Sequence, residues 1–536
     1  MKLSFRTSWA ENLIFIFVFL VFFVFFIRLY YLQIKKGDYY RALLEGLYNR
    51  FFIVSDNRGK IYLKNDEVVA TNKDVVSLVF FLKKEGVLEK ELSRISEILE
   101  LSKEGLLDKI KDNKFFVIKE ELTNEEQEKI KKEKFDNFQL ISEKRRFYPK
   151  GKFLSHLIGF QNKEGKGQYG LEEYYDRELR EGKDLVLTIE PEIQDFCEKI
   201  VEDYKGELGY EKAEILVVLA KTGEILSFVN FPNFDPNFFY QVLPENFSVF
   251  LNFSTQELFE PGSILKPIVM ASALEENLIS PLETYEDTGE VRIGKWVIKN
   301  YDNRVYGRQT MTNVLEKSIN TGAIYVQRKM GKEKFLDYLS RFGFFEKTNI
   351  DLPEIYSQNK NLKKGYEVNL ATASFGQGIE LTSVQLIKAY LALINEGKML
   401  RVHAVKKIIN GENEKEFFSE IEREVISPKT SRQISEMLLS VIENGYSKKA
   451  KIEGYLIGGK TGTAQVAFSS LGISKPGYSD KTIQSFIGFF PVFDPQFLIF
   501  VKLHNPKTKT AEYSALLIFK EIVRYLISHF QVPPNY

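Results

Sequence analysis

The chain has 536 residues, more than one compact core accommodates, so two or three domains are expected. Hydrophobic residues at 44% and charged residues at 27% exclude a disordered or fibrous chain, and Lys+Arg of 74 against Asp+Glu of 73 gives no electrostatic basis for nucleic acid as a partner. The single cysteine, Cys197, excludes an internal disulfide framework, and 4 scattered histidines offer no metal-ligand spacing, so neither a metal nor another cofactor is expected.

The first element is apolar. Leu13 to Ile27 runs without a polar residue, and Leu29 to Leu32 extends it past Arg28. About 20 helical residues cross a ~30 Å hydrocarbon core. The stretch reaches that length if Arg28 snorkels to the headgroups, with Trp9, Tyr30 and Tyr31 as interfacial anchors. A cleaved signal peptide is the alternative, but Arg28-Leu-Tyr-Tyr-Leu-Gln33 lacks the small residues of a cleavage site. The expectation is an uncleaved transmembrane anchor over 13–32 behind a tail of residues 1–12. Basic residues flank both ends, so charge leaves its orientation open.

Residues 33–190 mix apolar strand patterns, such as Val75 to Phe81, with amphipathic helical ones. Ile95, Leu99, Leu106, Leu107 and Ile110 recur at helical spacing, and Leu122 to Lys134 forms a strongly charged helix. The charge runs read as solvated faces, and no catalytic spacing is present. This region reads as a stalk or docking module.

From 191 to 536 the texture changes. Ile215 to Leu219 and Ile225 to Val229 flank Ala220-Lys-Thr-Gly-Glu224, the pattern of a β-hairpin. Val384 to Ile394 is a helix ending at Gly397, strand patterns return at Tyr455 to Phe468 and Ile483 to Leu503, and an amphipathic helix covers Ser514 to Phe530. Strands first and last with helices between predict an α+β fold whose antiparallel sheet pairs its terminal strands across a helical insertion.

Three short motifs in this region carry chemistry. Glu260-Pro-Gly-Ser-Ile-Leu-Lys-Pro267 sets Ser263 and Lys266 three apart, hence on one helical face. Pro267 is tolerated only in a first turn, which puts Ser263 at a helix N-terminus beside unpaired N–H donors. Ser318-Ile-Asn320 follows an apolar-periodic Met311 to Leu315. Lys460-Thr-Gly-Thr-Ala464 lies in a strand-like run after Gly458-Gly459. Each pattern also occurs elsewhere: Ser357-Gln-Asn-Lys360 reads as a loop, and Lys221-Thr-Gly223 as a hairpin turn. Order and spacing, not the separate motifs, distinguish the first set.

In that order the motifs resemble the Ser-x-x-Lys, Ser-Asp-Asn and Lys-Thr-Gly signature of the penicillin-binding transpeptidases, with Ser318-Ile319-Asn320 as a variant of the second. Arg58-Gly59-Lys-Ile61, Arg146-Phe-Tyr-Pro149, Gly170-Leu-Glu172, Phe375-Gly-Gln-Gly378 and Gly488-Phe-Phe-Pro491 extend the likeness to the class B, monofunctional group. Residues 33–190 carry no glycosyltransferase motif of the class A kind. The resemblance implies a non-catalytic pedestal over 33–190 and a serine β-lactamase-like transpeptidase domain over 191–536, outside the membrane. The implied substrates are peptidoglycan stem peptides, a D-Ala-D-Ala donor and an amine acceptor, with β-lactams as mimics and a polytopic membrane glycosyltransferase as partner.

The implied roles follow the motifs. Ser263 is the nucleophile and Lys266 its base. Ser318 relays a proton to the leaving amine, while Asn320 holds the substrate amide. Lys460, Thr461, Gly462 and Thr463 bind the terminal carboxylate, and the N–H groups of Ser263 and Thr463 form an oxyanion hole. Asn320, where elongation-type enzymes often carry Asp, points to a division-type enzyme. An elongation-type enzyme and a non-catalytic scaffold are the alternatives; intact polar residues in all three motifs argue against the scaffold.

Overall fold

A computed structural model of the chain describes residues 9–30, 58–81, 85–112 and 115–536. The described parts of 57–72 and 146–536 pack as one compact unit, and those of 1–56 and 73–145 as another. The N-terminal run is a helix, α1 (Trp9–Tyr30), and its side chains over 16–30 are almost all exposed. Over the residues whose side chains are described, no helix is long and apolar enough to cross a membrane; residues 31 and 32 of the expected anchor lie outside the described residues.

In the smaller unit, residues 78–81 pair antiparallel with Phe115–Lys119. Helices Leu88–Leu99, Lys103–Asp112 and Asn124–Lys132 supply the rest, around a core containing Leu78, Phe80, Leu92, Ile95 and Phe138. Thr123 and Glu126 form a reciprocal capping box that starts the charged helix, so it begins two residues after Leu122.

The larger unit holds more of the expected stalk than its charge suggests. Arg58 Nε and Arg146 Nε donate to the two oxygens of Glu172 at 2.7 and 2.6 Å, and Arg58 Nη1 reaches Asp176 at 2.9 Å. Burial by itself would raise the Glu172 carboxyl, but the Arg146 and Arg58 charges hold it below its ordinary value. These charges are an internal fastener, not a solvated face.

The main sheet of this unit is built from both ends of its chain. Helix α2 (Pro191–Leu208) leads into β1 (Lys212–Leu219) and β2 (Ile225–Phe231), an antiparallel hairpin turning at Gly223. The chain then passes through α3 (Lys266–Glu275), β3 (Thr284–Asp287), β4 (Trp296–Lys299), α4 (Asn320–Arg341), α5 (Ser383–Ile394) and α6 (Pro428–Glu443). It returns as β5 (Gly458–Ala467), β6 (Tyr478–Phe490) and β7 (Phe497–His504), and ends in α7 (Ala515–Phe530). The order is β5-β6-β7-β1-β2, antiparallel throughout, with β7 against β1 closing the sheet across the insertion.

Both faces are covered, which is why these strands read as continuous apolar runs. Ile215 and Val217 join Phe519, Ile522 and Val523 of α7 and Cys197 of α2 on one side. Leu216 and Val218 face the other cluster, with Ile268 of α3 and Leu386 of α5. The insertion is thereby held against the sheet, at the edge where β5 lies.

Candidate active site

Ser263 sits where a turn meets a helix. Residues Gly262–Leu265 form a 3-10 turn that passes directly into α3 at Lys266, with Pro267 in the first helical turn, where a missing N–H costs no hydrogen bond. In a 3-10 turn residues i and i+3 eclipse, so Ser263 and Lys266 share a face even more closely than an α-helix would require. Gly262 has φ +60°, and its N–H donates to Gly376 O at 3.0 Å. A Cβ added to Gly376 would stand 2.1 Å from Gly262 O, so two main chains meet without side chains between them. Beneath the turn, the buried Tyr390 hydroxyl of α5 donates to Ile264 O at 2.6 Å.

The second and third motifs meet the first at one hydroxyl. The Lys266 amine, 1% exposed, donates to Ser318 O at 2.5 Å, Asn320 Oδ1 at 2.8 Å and Ser318 Oγ at 3.3 Å. The Lys460 amine, also 1% exposed, donates to the same Ser318 Oγ at 3.1 Å and to Thr461 O at 3.2 Å. Burial and then the Lys460 charge push the Lys266 amine well below the usual lysine value, and burial pushes Lys460 down to about 7. Two cations cannot both be accommodated cheaply here, so one amine is set up to accept a proton near neutral pH.

The close approach of β5 depends on its glycines. A Cβ on Gly459 would come within 2.7 Å of the Phe486 ring, and one on Gly462 within 2.6 Å of Ser485 Oγ and 3.0 Å of Pro261 O. Gly462 thus lets the strand run alongside the turn that carries Ser263. Thr461 and Thr463 are half-buried on either side of it, and Thr463 Oγ1 accepts the Ala511 N–H at 3.2 Å. Lys266, Ser318, Asn320 and Lys460 are in this way joined in one hydrogen-bonded cluster, with Ser263 three residues before Lys266 on the adjoining turn and Gly462 of β5, between Thr461 and Thr463, packed against that turn.

The duplicate motifs have other partners. Ser357 Oγ faces Glu380 at the surface, and the Lys221 amine pairs with Asp494 at 2.6 Å beside the hairpin turn. Glu260 is a further contact, marked in the sequence only by its position just before Pro261: it accepts Gly378 N–H at 3.0 Å and the Tyr478 hydroxyl at 3.0 Å, tying the Ser263 turn to the start of β6. Among the described residues no group of three or more His, Cys, Asp or Glu side chains is placed to hold a metal ion.

With this geometry in hand, comparison with known proteins gives a consistent result. The family profile described as the penicillin binding protein transpeptidase domain matches residues 214–524, and that of the penicillin-binding protein dimerisation domain matches residues 53–190. Stage V sporulation protein D of Bacillus subtilis is 29% identical over 93% of this chain and 82% of its own. Peptidoglycan D,D-transpeptidase FtsI of Buchnera aphidicola is 29% identical over 79% of this chain and 77% of its own. In fold, the chain is similar to penicillin binding protein 2X from Streptococcus thermophilus, with a TM-score of 0.72 and 22% identity over 89% of this chain and 81% of that one.

Proposed function

The chain belongs to the penicillin-binding protein transpeptidases, and on that premise we propose that it is a class B, serine-type D,D-transpeptidase that cross-links peptidoglycan during septal wall synthesis. The observation that carries the reading is the single Ser318 hydroxyl contacted by both buried amines, Lys266 and Lys460, beside the turn holding Ser263. A scaffold has no use for two desolvated lysines side by side, since desolvating each costs stability and a docking role gains nothing from it.

Ser263 Oγ attacks the carbonyl carbon of the penultimate D-alanine, and its proton passes to the neutral amine of Lys266. Carbonyl oxygen charge develops towards the N–H groups of Ser263 and Thr463; the first N–H groups of a helical turn have no partner inside the turn. The C–N bond then breaks, the leaving D-alanine takes a proton by way of Ser318, and Ser263 is left acylated. An amine of a neighbouring stem attacks that ester and releases Ser263, so one difficult acyl transfer becomes two easier ones. Lys460, Thr461 and Thr463 hold the donor's terminal carboxylate, and Asn320 holds its amide.

We assign residues 13–32, whose described part lies in α1, as the membrane anchor. About 20 helical residues at 1.5 Å each span ~30 Å, and the exposed aromatic and aliphatic side chains of α1, Phe17 and Phe19 among them, suit lipid on every side. Residues 33–190 are then the pedestal and 191–536 the extracytoplasmic catalytic domain, with a polytopic membrane glycosyltransferase as partner. The septal role rests on Asn320, with a relative named for sporulation as support.

Incubation of the whole chain with benzylpenicillin tests the mechanism. The expected result is a stable mass addition on the peptide containing Ser263, absent from Ser263→Ala. Folded wild-type protein without an adduct rejects the mechanism. Localising a fluorescent fusion to side wall in place of septum rejects the division role alone.

A further inference from the structure

Helix α4, which opens with Asn320, lacks a cap of its own. Its cap position is Ile319, with no side-chain acceptor, although the first N–H groups of a helix have no partner within it. The acceptor comes from twenty residues earlier in the chain. Asn300, just past β4 and 5% exposed, presents Oδ1 to Asn320 N–H at 3.0 Å and to Thr321 N–H at 3.1 Å.

The Asn300 amide is not free to turn over. Its Nδ2 donates to both carboxylate oxygens of Asp287 at 3.0 Å and to Arg304 O at 3.1 Å. Asp287, buried at the end of β3, also accepts Gly289 N–H at 3.1 Å, Tyr306 N–H at 2.8 Å and the Thr321 hydroxyl at 2.5 Å. A carboxylate accepts only, so it fixes the amino end of Asn300 and leaves the carbonyl end aimed at α4. One residue earlier, Lys299 O accepts Asn320 Nδ2 at 3.1 Å. Main chain and side chain of Asn320 are therefore both held from residues 299 and 300, which leaves Asn320 Oδ1 directed at the Lys266 amine. The adjoining Ser318 has φ +55°, a conformation that a non-glycine residue keeps only when its surroundings enforce it.

We propose that Asn300, oriented by Asp287, is a positioning residue for the acyl-transfer reaction, an external cap that holds Asn320 so that its side-chain oxygen accepts from the Lys266 amine. The inference rests on the function proposed above. A purely structural alternative is that Asp287 and Asn300 only brace the 284–310 segment. The two predict different coupling, because a cap acting through Asn320 has nothing to act on once that side chain is removed.

The test is a double-mutant cycle on the full chain, read as the second-order rate constant for acylation by a fluorescent penicillin, with thermal melts for each variant. Asn300→Ala is expected to slow acylation about tenfold or more in the wild-type background, and less than about twofold in Asn320→Ala, whose slow residual acylation sets the baseline. Asp287→Asn, which offers an amino group where the carboxylate stood, is expected to reproduce the Asn300→Ala loss. Asn300→Leu, which is close to asparagine in shape but offers no acceptor, replaces Asn300→Ala in the cycle if the alanine variant does not melt cooperatively. Equal losses in both backgrounds, or a folded Asn300 variant with wild-type rates, overturn the proposal. An unacylated wild-type chain counts against the transpeptidase reading; an acylated wild type indifferent to Asn300 counts against the cap alone.

Discussion

The chain contains Lys-Thr-Gly twice, and the two copies live differently. Lys221 stands at the hairpin turn between β1 and β2, its side chain 58% exposed and paired with Asp494. Lys460 lies inside β5, 1% exposed, facing a hydroxyl that it shares with a second buried lysine. An exposed ion pair of the first kind contributes little, at most about 1 kcal/mol. Taking an amine out of water, by contrast, changes its proton affinity enough to alter what it can do. Three letters suit a reactive site only when a strand, a neighbouring turn and a second buried amine surround them.

The sharpest way to break this contrast is to remove each lysine in turn. Lys460→Ala is expected to lower the rate of β-lactam acylation by about 10²–10³-fold through lost carboxylate binding and lost transition-state charge stabilisation. Stopped-flow or gel-based acylation kinetics check it, and a loss below tenfold would reduce Lys460 to the standing of Lys221.

The pH profile sharpens the comparison further. Lys266 must be neutral to accept the Ser263 proton, so acylation rises as pH climbs through its lowered pKa. Lys460 must be cationic to hold a carboxylate, so acylation falls as pH passes its value of about 7. A bell-shaped profile of the second-order constant is expected. Because the Lys460 charge is one of the causes depressing Lys266, Lys460→Ala should move the acidic limb to higher pH. An acidic limb that stays in place would mean burial alone lowers Lys266. The smallest expected effect is at the duplicates: Lys221→Ala and Ser357→Ala leave acylation within about twofold and the pH profile superimposable.

The sheet was readable in advance because both of its faces are buried, so hydrophobic residues run on without polar interruption. Where charge enters a strand, the reading stopped short. The hairpin pattern began at Ile215, yet β1 starts at Lys212, because Glu214 lies directly opposite Lys502 of β7 and the two form a buried pair at 2.6 Å. Arg58, Arg146 and Glu172 are marked by the family resemblance, but their pairing is not legible for the same reason: a charge in a sequence looks solvated until its partner, more than a hundred residues away in the case of Arg58, is known.

At the site, the three motifs and their order were legible. The left-handed Ser318 and the cap supplied by Asn300 were not. Nothing local marks a serine for positive φ, and a helix whose own cap position is isoleucine gives no hint of where its acceptor comes from. The 3-10 form of the 262–265 turn was also hidden, since proline at 267 announces a first helical turn without saying what precedes it.

The glycine-on-glycine contact between residues 262 and 376 limits how this protein can change over generations. With main chain resting on main chain there is no side chain to trim or enlarge, so neither glycine can take on a side chain without parting the two segments, and variation near the Ser263 turn is confined to positions that already carry one.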